Sequence, residues 1–251
     1  MIAFGCATTD EREYRAYAAP SIERVAEPDS LLMRRHGYGS IHEPYNEMLD
    51  EAARRDDLEA LVLLHQDLSI EDEGFMAKVR GILAASPEIA IVGAVGARGV
   101  PPLAWWEGSE SHGYFESPIL VPGGSRIVYS RGVHEVDSVD GMLLVLSPWA
   151  ARELRFDAEL AGPLDGYDMD ICLQARARGL RVVAGGLQVA HYTTYDRFFD
   201  RRRWIEAAVA LRRKWASTFD WAPTLERDGV NGAGSGFAPA ALGASPRGEV
   251  E

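Results

Sequence analysis

The fold class this sequence predicts is α/β: a single, mostly parallel sheet with helices on both faces. Three observations predict it. Leu61-Val62-Leu63-Leu64 is a short apolar run that breaks abruptly into His65-Gln66-Asp67. A buried parallel strand reads this way when it delivers its last side chains to the edge of a sheet. Strand-like and helix-like stretches then alternate along the N-terminal part, as in a sheet covered by its own crossover helices. Glycines also stand at the ends of apolar runs, Gly93 and Gly96 where one closes and Gly141 where the next begins. Ligands collect at the carboxyl edge of such sheets. For Asp67 taken alone, a plain cap for the following helix carries equal weight.

In chain order, Ile2 to Cys6 reads as the first strand. It closes on Ala7-Thr8-Thr9-Asp10, small and polar residues that suit a loop lying against a ligand. Glu11 to Ala19 reads as a helix broken by Pro20. Arg34-Arg35-His36-Gly37-Tyr38-Gly39-Ser40 reads as a glycine-punctuated loop whose backbone can approach a ligand closely. It leads through Ile41-His42-Glu43-Pro44-Tyr45-Asn46 to a helix over Met48 to Arg55. Nucleotide contact and a plain loop with a capped helix weigh equally there. From Glu71 to Ala84, Phe75, Val79 and Leu83 recur at every fourth residue, a core-facing helical stripe that Pro87 ends. Ile89 to Val95 reads as a further strand.

The stretch from Trp105 to Ser125 mixes glycine, serine and proline with aromatics and reads as a long excursion with one hairpin, Arg126 to Tyr129 being a strand. Its aromatics suit stacking on a sugar or base and covering the core equally. Asp140 and Gly141 stand at the mouth of a strong strand running to Leu146, and Pro148 opens a helix to Arg155. Leu164 to Gly179 is a helix with carboxylates at its start, Arg176 and Arg178 in its last turn and a glycine stop. Arg181 to Ala184 and Leu187 to Ala190 are short strands, the second delivering His191. Arg201 to Phe219 sets Trp204, Ala208, Leu211 and Trp215 on one helical face beside Arg202, Arg203, Arg212, Arg213 and Lys214. That basic cluster reads mostly as a solvated face, with part of it available to an anionic ligand. Residues 1–222 are read as one domain, and 223–251, poor in periodicity and rich in Gly, Ala, Pro and Ser, as a flexible C-terminal tail.

A chain of 251 residues that is 47% apolar can bury a substantial core. The net charge of −12 disfavours nucleic acid as a partner, since sequence-independent binding rests on basic surface. An anionic ligand therefore needs a local device such as a metal ion, a helix N-terminus or a few aimed arginines. Cys6 and Cys172 both lie in apolar segments, which disfavours a disulfide scaffold and fits a reduced, cytoplasmic chain. Met1 to Ala7 lacks the basic flank of a signal peptide, and no apolar run approaches a membrane span. Self-association into a homo-oligomer stays open.

Asp67, the pair Asp168 and Asp170, and His191 all fall at ends of separate strands or starts of helices. With Tyr45-Asn46-Glu47, Leu64-His65-Gln66-Asp67, Ile91-Val92-Gly93-Ala94-Val95-Gly96, Val139-Asp140-Gly141, Phe156-Asp157, Tyr167-Asp168-Met169-Asp170-Ile171-Cys172-Leu173, Ala177-Arg178-Gly179 and His191, the chain resembles a family 2-type glycosyltransferase. More narrowly, it is similar to the bacterial glycosyltransferase-like branch in which a His-Gln-Asp stands in place of the Asp-any-Asp motif. The resemblance runs from Met1 to about Trp215. It implies the GT-A fold of nucleotide-diphospho-sugar transferases, with a Rossmann-like sheet. It also implies an inverting, metal-dependent transfer of sugar from a nucleoside diphosphate sugar to an acceptor hydroxyl.

The site residues follow from that resemblance. Asp67 is the metal ligand at the end of the motif and His191 completes the metal site. Manganese or magnesium is the expected cofactor, since a cation stabilises the departing diphosphate and manganese accepts imidazole more readily. His65 takes the place of the motif's first acid, near the nucleoside. Asp168 matches the acid that takes the acceptor's proton, with Asp170 as the second candidate, although helix capping alone also selects acids there. Thr8, Thr9, Asp10 and Asn46 are expected at the nucleotide, and Asp140 and Gly141 at the donor sugar or diphosphate. His65 and Tyr167 stand where the family carries acids, which keeps a noncatalytic nucleotide-sugar-binding protein as the alternative. A nucleotidyltransferase is disfavoured because Ala7-Thr8-Thr9-Asp10 lacks a basic, glycine-rich phosphate loop.

Overall fold

The computed structural model describes residues 1–99, 108–118, 125–160, 165–193, 201–219 and 249–250. The chain opens with β1 (Ile2–Thr8) and continues into α1 (Glu11–Ala16) and α2 (Ala18–Val25). Pro20 lies in the first turn of α2, where no N–H is owed to the helix, so the break expected there falls at Tyr17 instead. β2 (Leu31–His36) pairs in parallel with β1 and absorbs the first part of the stretch read as a loop. It is an edge strand whose alternation is diluted by Arg34, Arg35 and His36, which is why periodicity did not disclose it. α3 (His42–Ala53) opens earlier than Met48, again with a proline, Pro44, in its first turn.

β3 (Ala60–Leu64) is buried throughout and ends at His65, as expected. β4 (Leu68–Ile70) follows after a tight turn and α4 (Phe75–Ala84) after that. The stretch read as one strand divides into β5 (Ile89–Gly93) and β6 (Val95–Arg98), which belong to different sheets. β7 (Glu110–Ser117) and β8 (Ser125–Val128) form the expected hairpin, with Tyr114 opposite Val128. β9 (His134–Val136), β10 (Ser138–Val139) and β11 (Leu143–Leu146) lead into α5 (Pro148–Glu153), which Ser147 caps through the Ala150 N–H. α6 (Tyr167–Ala177), β12 (Arg181–Ala184), β13 (Val189–His191) and α7 (Arg201–Trp215) follow. Most of the stretch expected to be a tail lies outside the described residues, and β14 (Glu249–Val250) pairs with β8.

The main sheet has the order β2-β1-β3-β11-β5-β12-β9 and a second sheet the order β10-β6-β7-β13-β4. The α/β fold class therefore holds and the main sheet is mostly parallel, with β2, β1, β3, β5 and β12 running one way. The expectation of a single sheet is corrected by the second one, and the main sheet also takes in two opposed strands. β11 runs antiparallel to both β3 and β5, and β9 antiparallel to β12. The reason is local. The Asp140-Gly141-Met142 turn feeds β11 into the sheet at the edge where β3 ends, and His65 donates its N–H to the Met142 carbonyl at 3.0 Å. Central strands are buried on both faces: Val62 and Leu64 pack on one side with Phe4, Phe75 and Val145, and Leu61 and Leu63 on the other with Tyr45, Met48 and Leu144. That two-sided burial gives the continuous apolar run seen in the sequence.

Candidate active site

Four polar segments converge at one edge of the main sheet. β3 carries His65, Gln66 and Asp67 past its last ladder partner. β4 turns back from Asp67 and pairs antiparallel with β13, so that His191 lies opposite Leu68 and Tyr192 donates its N–H to the Asp67 carbonyl at 2.8 Å. This register brings a residue more than a hundred positions away against the end of β3. His191 Nε2 is 3.3 Å from Asp67 Oδ1, and His65 Nδ1 is 4.0 Å from the same oxygen. One ligand atom from each of His65, Asp67 and His191 lies within 4.8 Å of the others.

The electrostatics of this cluster follow from its burial. Asp67 is only 6% exposed; burial opposes its charge, but the contact with His191 and the nearby imidazoles outweigh it and hold the carboxyl down at about 2. Burial also works against a charged His191, yet Asp67 overcomes that and raises the imidazole. His65 is lowered, by burial first and by His191 in addition. His191 Nε2 is buried and makes no well-aligned hydrogen bond. A buried nitrogen left in this state beside a carboxylate and a second imidazole is what a divalent cation would satisfy, and a carboxylate with two imidazoles suits manganese.

The mouth of β11 and the start of α6 supply the second half. Asp168 Oδ2 accepts the Gly141 N–H at 3.0 Å and Oδ1 its neighbour Met169 N–H at 2.8 Å. Asp140 Oδ1 accepts the Met142 N–H at 2.8 Å, which closes the turn. Burial, reinforced by Asp140, pushes Asp168 up to about 7. Tyr167 joins the halves, its hydroxyl lying 2.6 Å from His65 Nε2. Asp170, the other candidate base, faces away. Its carboxylate accepts from Lys214 Nζ (2.9 Å), Trp215 Nε1 (2.9 Å) and Gln174 Nε2 (2.7 Å), and so docks α7 onto α6.

Several residues expected at the nucleotide are engaged in building the edge. Asp10 caps α1 by accepting the Arg12 and Glu13 N–H groups at 2.8 and 3.3 Å. Thr8 Oγ1 donates to the Arg35 carbonyl at 3.2 Å and accepts from Arg34 Nε at 3.1 Å. Asn46 braces α3 against the segment after α5: its amide donates to the Phe156 carbonyl at 2.8 Å and accepts the Phe156 N–H at 2.9 Å. Gln66 was not singled out from sequence, yet its Oε1 accepts the N–H groups of Thr9 and Asp10 at 2.7 and 2.9 Å. It thereby fixes the loop after β1 to the turn that carries Asp67. Its only signal was its place between His65 and Asp67. Two concavities elsewhere, of about 290 and 550 Å³, are lined by none of the four converging segments' polar residues.

This geometry can be set beside known proteins. A model of the family described as Glycosyltransferase like family matches residues 11–203. The chain belongs to the glycosyltransferase-like family. The match takes in all four converging segments. A curated relative, the streptomycin biosynthesis protein StrF of Streptomyces griseus, is 27% identical over 224 residues, covering 89% of this chain and 76% of StrF. Among solved structures, the mannosyltransferase PcManGT from Pyrobaculum calidifontis, in complex with GDP-Man and Mn2+, is similar with a TM-score of 0.53 and 12% identity. That likeness covers 86% of this chain and 64% of the mannosyltransferase. A197 from STIV is similar with a TM-score of 0.51 and 13% identity, over 76% of this chain and 85% of A197. At such identities these structures show the fold, which is that of GT-A glycosyltransferases. Glycosyl transfer is the role that membership of the glycosyltransferase-like family supports. Among the described residues, no helix is long and apolar enough to cross a membrane.

Proposed function

We propose that this glycosyltransferase-like chain is a metal-dependent, inverting transferase that moves a sugar from a nucleoside diphosphate sugar to an acceptor hydroxyl. The observation that carries the reading is the convergence of His65, Asp67 and His191 within 4.8 Å, with Asp168 tied to the Asp140–Gly141 turn at the same edge. A divalent cation held by those three residues, manganese or magnesium, would offset the negative charge that grows on the departing diphosphate.

The chain's own groups account for the remaining chemistry. Asp168 takes the proton of the acceptor hydroxyl. A carboxyl raised to about 7 is matched to that task near neutral pH, because it is basic enough to accept a proton and still largely ionised just above neutrality. The hydroxyl oxygen then bonds to the anomeric carbon as the bond to the diphosphate oxygen breaks. Attack and departure on opposite faces invert the centre. Gln66 keeps the loop after β1 against the site, with Thr9 and Asp10 oriented through their backbone. Asp140 and Gly141 line the place where donor sugar and diphosphate meet Asp168.

Donor turnover tests this reading. A panel of nucleoside diphosphate sugars incubated with the chain and manganese should slowly release nucleoside diphosphate from one member, and chelation should stop the release. Tight binding of a nucleotide sugar with no release under any acceptor or metal would instead identify a noncatalytic binder.

A further inference from the structure

The hydrogen bond between His65 Nε2 and Tyr167 Oη, at 2.6 Å, sits between the cation-binding cluster and Asp168, and the transfer chemistry leaves it unexplained. An imidazole presents two nitrogens, and here they face different ways. Nε2 is on Tyr167, while Nδ1 faces Asp67 Oδ1 at 4.0 Å. A ring can offer a lone pair from Nδ1 to a cation only when its proton is on Nε2, and that proton then needs an acceptor. Tyr167 Oη is placed to be that acceptor.

Tyr167 is held where it stands. It is 4% exposed, with ring edges against Tyr45 at 6.1 Å and His42 at 6.4 Å and a tilted contact to Phe156 at 6.0 Å. Its hydroxyl occupies the space beside Gly141, where a Cβ would come within 2.1 Å of Oη. The residue thus has little freedom to follow His65 if the ring turned.

The geometry points to Tyr167 as a positioning residue that fixes the His65 tautomer and makes His65 the third, imidazole ligand of the cation, so that the site prefers manganese to magnesium. This rests on the reading that His65, Asp67 and His191 hold a divalent cation. Carboxylate oxygens serve both ions, but a second imidazole favours the transition metal. Losing the acceptor on Nε2 therefore weakens manganese binding selectively.

The test uses the full chain and the metals alone. Manganese binding is followed by loss of the free-ion paramagnetic resonance signal, magnesium by competition, and bound nitrogens by their magnetic coupling to manganese. The unmodified chain should show two bound imidazole nitrogens. Tyr167→Phe, which keeps the ring, should bind manganese about 10-fold or more weakly, change magnesium binding by less than about 2-fold, and lose one nitrogen coupling. His65→Ala should reproduce that pattern. An equal loss of both metals would mark a structural effect and overturn the inference, as would two retained nitrogens with an unchanged manganese preference in Tyr167→Phe. A single bound nitrogen in the unmodified chain overturns the inference and takes one imidazole out of the proposed ligand set, leaving a cation held by Asp67 and the other imidazole. No manganese binding by the unmodified chain removes the cation reading itself, and the inference with it.

Discussion

Asp168 and Asp170 are two positions apart and chemically identical, yet their surroundings assign them different work. Asp168 sits on two backbone N–H groups with Asp140 nearby and is pushed up to about 7, whereas Asp170 is spent on Lys214, Trp215 and Gln174. Asp168→Asn should therefore keep donor binding while turnover falls by roughly 10²- to 10⁴-fold, in a steady-state assay with binding measured separately. The parent's rate should rise with pH through about 7 as the base ionises. Stability should move the other way. A carboxyl raised above its unfolded value holds its proton in the folded state alone between those two values, so stability is lost as pH climbs through the upper one. In melts with chelator, Asp168→Asn should gain on the parent between pH 5 and 8; a constant difference would remove the raised carboxyl from the account. Sequence supplied Asp168, Asp67 and His191 through their places at element ends. It could not separate Asp168 from Asp170, since the discriminating partners come from α7 and from the β11 turn.

Elements are positioned by a few close approaches. Gly141 lets the β11 turn lie against Tyr167, so Gly141→Ala forces Tyr167 or the turn to move. Overpacking of that kind costs about 1–3 kcal/mol, to be read by urea denaturation, with a parallel loss of turnover. α7 is fastened by the Lys214 ammonium, 2.6 Å from Asp157 and 2.9 Å from Asp170. Lys214→Met leaves the buried Asp170 short of a charged partner and should cost about 1–3 kcal/mol, discounted for the partial exposure of Lys214. Turnover of the folded variant should stay within about 10-fold of the parent. A drop as deep as that of Asp168→Asn would bring α7 into the chemistry. Apolar runs disclosed the buried strands β3 and β11, periodicity the helix α4, and cap and dipole signals the helix α6. These signals missed β2, β4 and β6: an edge strand diluted by charge, a strand of three residues, and a sheet switch hidden inside one apolar run.

For the whole molecule, the mixed direction of the main sheet matters most. An antiparallel β11 begins where β3 ends, and β13 returns beside β4, so residues far apart in the chain share one edge. None of this was legible from apolar runs, because strand direction leaves no mark in composition. The ordered family motifs carried the fold class but not these directions, and the family match over residues 11–203 bears out the family they implied. Under the proposed function a chain with net charge −12 accommodates an anionic diphosphate leaving group, which makes the His65–Asp67–His191 cluster the point on which that proposal turns. The most direct measurement is calorimetric titration of nucleoside diphosphates into the chain with and without manganese, repeated on Asp67→Ala. The account expects one nucleoside diphosphate to bind the parent only with manganese and to lose that binding in the variant. Equal binding by parent and variant, or binding indifferent to manganese, would contradict it.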